Sequence, residues 1–106
     1  MFKVEEASTQ EKSGIKFNVT ERDEYVIIEF ELDKPLTPEE LRGIKPPSTP
    51  IGKGVVLSGR APIWLYAYLI HHYHPTTFIA VYDPRIGAIV TESHTPKYRV
   101  GDILKL

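Results

Sequence analysis

The sequence of 106 residues contains no cysteine, which excludes disulfide bonds, thiolate zinc sites and cysteine nucleophiles. Metal ligands must therefore come from histidine, aspartate and glutamate. No apolar stretch reaches the ~18 residues that a membrane span needs. The first residues, MFKVEEASTQEK, lack the apolar core of a signal peptide. We therefore expect a cytoplasmic protein with no membrane partner.

An excess of positive charge is also missing, since the formal net charge is −1. Proteins that bind long nucleic-acid duplexes usually present a basic face, so we expect no binding to DNA. A short anionic ligand needs only two or three well-placed arginines, and the composition leaves that possibility open. The apolar and charged fractions, 42% and 25%, are those of an ordinary globular domain, and the length is that of one domain.

Residues 15–32 read as a β-hairpin, because two β-rich runs, Ile15–Thr20 and Tyr25–Leu32, flank a polar turn. Residues 1–13 are polar and aperiodic, which predicts a frayed tail, with a short strand around Phe2 and Val4 as the alternative. Thr37 followed by a proline and two glutamates predicts the start of a short helix that stops by Gly43.

The central part of the chain predicts a strand, a helix and a strand at Gly54–Leu57, Ile63–Tyr73 and Phe78–Tyr82. Such a crossover is right-handed, so the two strands should run parallel. A turn then leads to an antiparallel strand at Ala88–Ser93, and Val100–Leu106 is a candidate edge strand. The helix is apolar nearly all the way round, which indicates that more than the sheet covers it, for example another subunit.

The carboxyl ends of the two parallel strands share one edge of this sheet. Ser58-Gly59-Arg60 follows the first strand and Asp83-Pro84-Arg85 follows the second. The helix also points its N-terminus at this edge, and two arginines beside free backbone N–H groups make a phosphate site. The alternatives are a simple turn into the helix with a solvated Arg60, and an ordinary Asp-Pro hairpin turn.

The opposite edge collects all four histidines of the chain, three near the helix end and one after the last strand. His72 alone would be a partner of the helix dipole. His71 and His74 are spaced i, i+3, as on one face of a helix, and together with His94 they favour metal binding or proton transfer. A strand of about five residues spans ~17 Å, so Asp83 and Arg85 cannot touch His74 within one subunit. A reaction that uses both groups would need two subunits stacked edge to edge.

The segments VVLSGRAPIWL, HHYH, FIAVYDPRIGAIV and SH strongly resemble the small CRISPR-associated ring nuclease of type III systems, first described as a manganese-dependent deadenylating exoribonuclease. The resemblance spans roughly residues 16–106, so residues 1–14 look like an extension and residues 15–106 form the domain. It implies an α+β sandwich: a ferredoxin-like domain, distantly related to the Rossmann-like CARF domains. It also implies a homodimer that stacks into a tetramer or filament on its ligand.

The resemblance further implies cleavage of cyclic tetra-adenylate, the second messenger of type III CRISPR antiviral defence. By motif position, the residues that resemble the catalytic group are His74, Asp83 and Arg85. Those that look like substrate-binding residues are Ser58, Gly59 and Arg60. Those that match the Mn²⁺ positions are His71, His74 and His94, with Asp83 as a possible further ligand.

Cleavage would use the 2′-hydroxyl of the RNA itself, with His74 as proton carrier because the usual pKa of an imidazole lies near neutrality. Two other functions remain open at this point. One is a Mn²⁺-dependent 3′ deadenylating exoribonuclease that acts on short linear RNA. The other is a non-catalytic module that binds cyclic oligoadenylate or RNA.

Overall fold

Seven strands form one mixed sheet whose spatial order follows the order of the chain. The computed structural model describes the backbone of residues 7–12 and 14–106, and the side chains of residues 14–106. The strands are β1 Ala7–Lys12, β2 Ile15–Glu21, β3 Tyr25–Leu32, β4 Gly54–Gly59, β5 Phe78–Asp83, β6 Gly87–Ser93 and β7 Ile103–Leu104. The helices are α1 Ile63–His72 and a 3₁₀ helix at Pro38–Gly43.

The crossover and both hairpins that the sequence predicts are confirmed. β4 and β5 are parallel and are joined through α1. β2 pairs antiparallel with β3, β5 with β6, and β6 with the edge strand β7. The domain is therefore mixed α+β, as expected, and is consistent with a ferredoxin-like α+β fold.

Two features differ from the expectation. The prediction of a frayed tail is wrong for Ala7–Lys12, because these residues form β1 and extend the sheet beside β2. Residues 1–6 and Ser13 lie outside the described part of the chain. β3 and β4 are also parallel, so residues 33–53 make a second crossover. Proline cannot donate a backbone hydrogen bond or continue a helix, and accordingly this connection holds one short 3₁₀ helix, which ends before Pro46, Pro47 and Pro50.

The sheet is buried on both faces, which explains the continuous apolar runs of β4 and β5. On one face α1 inserts Leu65 and Leu69 into a cluster that includes Phe17, Phe30 and Ile79, all at most 1% exposed. The members of the cluster on the other face are Ile27, Val56, Phe78, Ala80, Ala88 and Val90, with Tyr25, Tyr82, Tyr98 and Leu104 packed against it. The C-terminal segment thus covers the face that α1 leaves open.

One chain covers α1 only in part. Trp64, Tyr66, Tyr68 and Ile70 are partly buried against the α1-side cluster, but the side chain of Ile63 is 85% exposed. A second subunit over this helix remains a prediction. With ten residues, α1 is the longest helix in residues 7–12 and 14–106, and none there has the length and apolar character to cross a membrane.

The buried hydroxyl of Tyr73 fixes the connection between β3 and β4 onto the end of α1. It donates a hydrogen bond of 2.6 Å to the carbonyl oxygen of Pro47, and burial raises the pKa of the Tyr73 hydroxyl. A buried carbonyl that loses its donor costs about 1–3 kcal/mol.

We therefore expect Tyr73→Phe to lower the free energy of unfolding by about 1–3 kcal/mol, measured by urea denaturation. Tyr68→Phe is the matched control, because the Tyr68 hydroxyl makes no hydrogen bond within residues 14–106, and it should change stability by less than about 0.5 kcal/mol. Equal effects of the two substitutions would contradict a structural role for the Tyr73–Pro47 bond.

Candidate functional site

An aspartate and an arginine form a fork where β5 turns into β6. The backbone N–H of Arg85 donates to Asp83 Oδ1 at 2.8 Å, and its side chain donates from Nε to Oδ1 at 3.2 Å and from Nη2 to Oδ2 at 3.0 Å. These hydrogen bonds lower the pKa of the Asp83 carboxyl and raise the pKa of the Arg85 guanidinium. The Arg85 side chain is still 83% exposed, and its remaining N–H donors face solvent, where a phosphate can reach them.

An open groove of about 540 Å³ lies beside this fork. Its floor is mostly apolar and includes Val81, Ile89 and the ring of Tyr66, while Asp83 and Arg85 form its charged rim. The groove therefore offers an apolar surface next to a cation. That combination suits a ligand with both a flat apolar part and a negative group.

The Ser58-Gly59-Arg60 segment lies at the carboxyl end of β4, as the sequence predicts, but Gly59 has a packing reason to be glycine. A Cβ atom there would lie 2.4 Å from the carbonyl oxygen of Phe30. The Gly59 N–H also donates to the Tyr66 hydroxyl at 2.9 Å, and that hydroxyl donates back to the Gly59 carbonyl at 2.6 Å. This N–H is thus engaged within the protein rather than free for a phosphate.

Arg60 is exposed just after β4 and makes no ion pair within residues 14–106. It lines, with Ser58 and Gly59, a second groove that also contains Glu29 and Glu31, so the charge in this groove is mixed. Arg60 and Arg85 therefore lie at neighbouring strand ends but border different grooves.

At the other end of β5, two histidines meet on one carboxylate. Glu92 Oε2 lies 2.5 Å from His74 Nδ1 and 2.8 Å from His94 Nε2. The two imidazole rings are 5.2 Å apart and perpendicular. The hydrogen bond from His94, followed by that from His74, lowers the pKa of the Glu92 carboxyl. One nitrogen from each ring and one oxygen of Glu92 all lie within 4.8 Å of one another, close enough to hold one metal ion.

A β-bulge places Glu92 in this cluster. Val90 pairs with Ala80, but the next paired residue of β6 is Glu92, opposite Ile79, so Thr91 is an extra residue. Strict alternation would put Glu92 on the same face as Ala88 and Val90. The bulge instead turns it to the face of Ile79, on which α1 packs. Sequence reasoning missed Glu92 because the alternating pattern of β6 does not reveal a bulge; the only signal was a carboxylate two residues before His94.

The other histidines of this end are not part of the cluster. Among the described residues, the grouped donors are His74, Glu92 and His94, whereas His71 is exposed on the last turn of α1. His72 is also exposed and its ring contacts Tyr73, with the ring centroids 4.7 Å apart. The structure therefore brings together two of the three histidines that the resemblance associates with manganese.

The two ends are a strand length apart, as expected. In the β5–β6 hairpin, Phe78 pairs with Ser93 beside the histidines and Asp83 pairs with Gly87 beside the fork. Five steps along a strand at ~3.3 Å each give ~17 Å. Within one chain, the Asp83–Arg85 fork and His74 are too far apart to contact the same phosphate.

Comparison with known proteins identifies the family of this chain. The model of the family described as CRISPR-associated protein (Cas_csx3) matches residues 29–105, which include the fork and the histidine cluster. An uncharacterized protein of Aquifex aeolicus (strain VF5) is 52% identical over 88 residues, covering 78% of this chain and 79% of that relative. The chain therefore belongs to the CRISPR-associated protein family Cas_csx3.

Proposed function

We propose that the protein is a ring nuclease that binds and degrades cyclic tetra-adenylate by phosphodiester cleavage. The observation that carries this proposal is the presence of two complementary groups at opposite ends of β5. One is the Asp83–Arg85 fork, which suits a phosphate, and the other is the cluster of His74, Glu92 and His94, which suits proton transfer or a metal ion. The resemblance seen in the sequence and the membership of a CRISPR-associated family support the choice of substrate.

The fork would bind and orient the scissile phosphate. Arg85 is the cation that contacts the phosphate oxygens, and Asp83 is a positioning residue that fixes the guanidinium through two side-chain hydrogen bonds. A guanidinium held in this way loses less conformational entropy when it binds a phosphate. Ser58 and Arg60 at the neighbouring strand end would contact other parts of the ring, with Arg60 supplying a second cation, and Gly59 would act only through the close packing of this segment on Phe30.

His74 would carry the proton. The 2′-oxygen of one adenosine forms a bond to the adjacent phosphorus while the bond from phosphorus to the 5′-oxygen breaks, which yields a 2′,3′-cyclic phosphate. One proton leaves the 2′-hydroxyl and one is delivered to the 5′-oxygen. Imidazole serves such transfers well because its usual pKa is near neutrality, and the contribution is typically ~10²–10⁴-fold in rate.

A complete site then needs two copies of the chain, because His74 and Arg85 lie ~17 Å apart along a strand. We propose a homodimer that stacks through opposite edges into a tetramer or filament around the ligand, with the fork of one subunit facing the histidines of another. Mn²⁺ is the proposed cofactor, since imidazole and carboxylate ligands suit it. When bound at the histidine end it would supply positive charge near the phosphate.

The first test compares substrates. We expect the protein to convert cyclic tetra-adenylate to linear fragments ending in a 2′,3′-cyclic phosphate, and to leave linear RNA with a 3′ oligoadenylate tail intact, as judged by liquid chromatography with mass spectrometry. Shortening of the tail alone would indicate the manganese-dependent deadenylase. Binding of either RNA without any product would indicate a non-catalytic module.

The second test separates chemistry from binding. We expect His74→Ala to lower the cleavage rate by ~10²–10⁴-fold while the affinity for labelled cyclic tetra-adenylate, measured by gel shift, stays within about twofold. His72→Ala is the matched control, because this exposed histidine lies outside the cluster, and its rate should be unchanged. Loss of binding together with cleavage in His74→Ala would refute the assignment of separate roles to the two ends.

The third test asks whether two chains share one site. His74→Ala and Arg85→Ala should each be inactive, but a mixture should regain activity, because an intact fork on one variant can face intact histidines on the other. Random head-to-tail mixing makes roughly one contact in four competent. If the mixture stays inactive and turnover per subunit does not rise with protein concentration, stacked subunits do not share the site, and the site is complete within one dimer.

A further inference from the structure

We infer that Glu92 Oε2, rather than His71, is the third ligand of the divalent-cation site proposed above at His74 and His94. Neither the motif resemblance nor the family description assigns a role to Glu92. The inference does not depend on which RNA the protein cleaves, because it rests on the geometry of these three side chains and is tested with the metal ion alone.

The spacing of the three donor atoms fits a shared ion. The carboxylate oxygen lies 2.5 Å from one ring nitrogen and 2.8 Å from the other, and all three atoms lie within 4.8 Å. Ligands about 2.0–2.2 Å from one ion at near-right angles are roughly 3 Å apart, so only small movements would replace the two hydrogen bonds by metal bonds. Glu92 would stay the central group in both states.

The backbone holds all three ligands in place. His74 follows directly on Tyr73, whose backbone N–H donates to Leu69 at 3.0 Å and whose hydroxyl is bound to Pro47. The His94 N–H donates to the Thr77 carbonyl at 2.8 Å. Glu92 is turned toward both histidines by the β-bulge at Thr91. The site is therefore preorganised by main-chain hydrogen bonds and strand register, which lowers the entropy lost on binding an ion.

The choice of Glu92 over His71 follows from where α1 ends. An i, i+3 pair shares a face only within a helix, and α1 ends at His72, so His74 has already left the helix. His71 stays on the last turn of α1, exposed, while His74 turns to Glu92 in β6. The helical spacing that made the pair of histidines conspicuous in the sequence therefore does not apply to His74.

The donor set selects the class of cation. Two imidazoles and one carboxylate, with the remaining positions open to water or phosphate oxygen, suit Mn²⁺, Fe²⁺ or Zn²⁺, and the absence of thiolates disfavours soft ions. The side chains of His74 and His94 are 63% and 47% exposed, and that of Glu92 is 25% exposed, so an ion and its waters can reach all three.

The site also assigns the two nitrogens of His74 different tasks. Nδ1 is directed at Glu92, so it is the nitrogen that binds the ion, and Nε2 is left for the nucleotide. A neutral ring bound through Nδ1 keeps its proton on Nε2, so with an ion bound it would offer the nucleotide a hydrogen-bond donor, and the proton transfer proposed for His74 would belong to the ion-free ring. The ion would fix the ring orientation in the way that the Glu92 hydrogen bond does without it.

The test titrates metal-free protein with Mn²⁺ and measures the free ion by electron paramagnetic resonance. We expect one bound Mn²⁺ per chain, at least about tenfold weaker binding in Glu92→Gln, and binding within about twofold of wild type in His71→Ala. Glu29→Gln, at an exposed glutamate in the groove beside Arg60, is the matched control and should bind normally. Mn²⁺ should also raise the Tm of wild type and of His71→Ala, but not that of Glu92→Gln.

The result that would overturn the inference is loss of binding in His71→Ala with normal binding in Glu92→Gln, or no binding by the wild type. Circular dichroism melts without metal establish that each variant is folded before it is compared. Failure here is distinct from failure of the proposed function. A protein that binds no Mn²⁺ but cleaves cyclic tetra-adenylate refutes only the metal site, and one that binds Mn²⁺ through Glu92 without cleaving refutes only the nuclease.

Discussion

The parallel pairing of β4 with β5 is the constraint on which the rest of the structure depends. Because α1 must return the chain to the start of a parallel strand, the helix begins at the edge where β4 ends and finishes at the opposite edge. This path of the chain fixes which side chains lie at each end of the parallel strands. Arg85, in the turn between β5 and β6, lies at the first edge. His74, directly after the C-cap of α1, lies at the second edge, one strand length away.

Charged side chains at both edges are oriented by partners while remaining open to solvent. Arg85 is fixed by Asp83, and two histidines are fixed by the single oxygen Oε2 of Glu92. Neither arrangement contributes much to folding, since exposed pairs of this kind add little stability. Their effect is on orientation: each edge presents a defined set of donors to a ligand. This division of roles matches a protein whose core supplies stability and whose edges supply chemistry.

The sequence predicts the parts of this structure that depend on local pattern. The runs at residues 15–32 and 54–93 predict the hairpins, the crossover and the separation of Arg85 from His74, because strand alternation and the handedness of crossovers decide them. It does not predict the parallel pairing of β3 with β4, because a proline-rich connection has no helical period to mark it as a crossover. β1 was missed for a related reason, since its polar residues show no apolar alternation.

The surroundings of two residues depend on tertiary contacts that the local sequence pattern does not show. Gly59 reads as a phosphate-binding glycine, yet the carbonyl of Phe30 and the hydroxyl of Tyr66 occupy the space and the N–H that a ligand would use. Strict alternation along β6 would place Glu92 on the buried face of Ala88 and Val90, yet the register shift turns it toward the histidines. In both cases the contact that matters comes from another strand or helix, and a local sequence motif does not reveal it.

The bulge in β6 also determines how this site tolerates changes in chain length. Thr91 is the residue without a partner, so a gene that lost this one codon would encode a regular ladder with Val90 opposite Ala80 and the glutamate opposite Ile79. The glutamate and both histidines would keep their positions. Loss of another β6 residue before Glu92 would also restore a regular ladder with the glutamate opposite Ile79, but it would remove Val90 or turn it off the core face that it shares with Ala80. Thr91 is therefore the residue of β6 before Glu92 whose loss would keep both the cluster and the core residues of the strand in place.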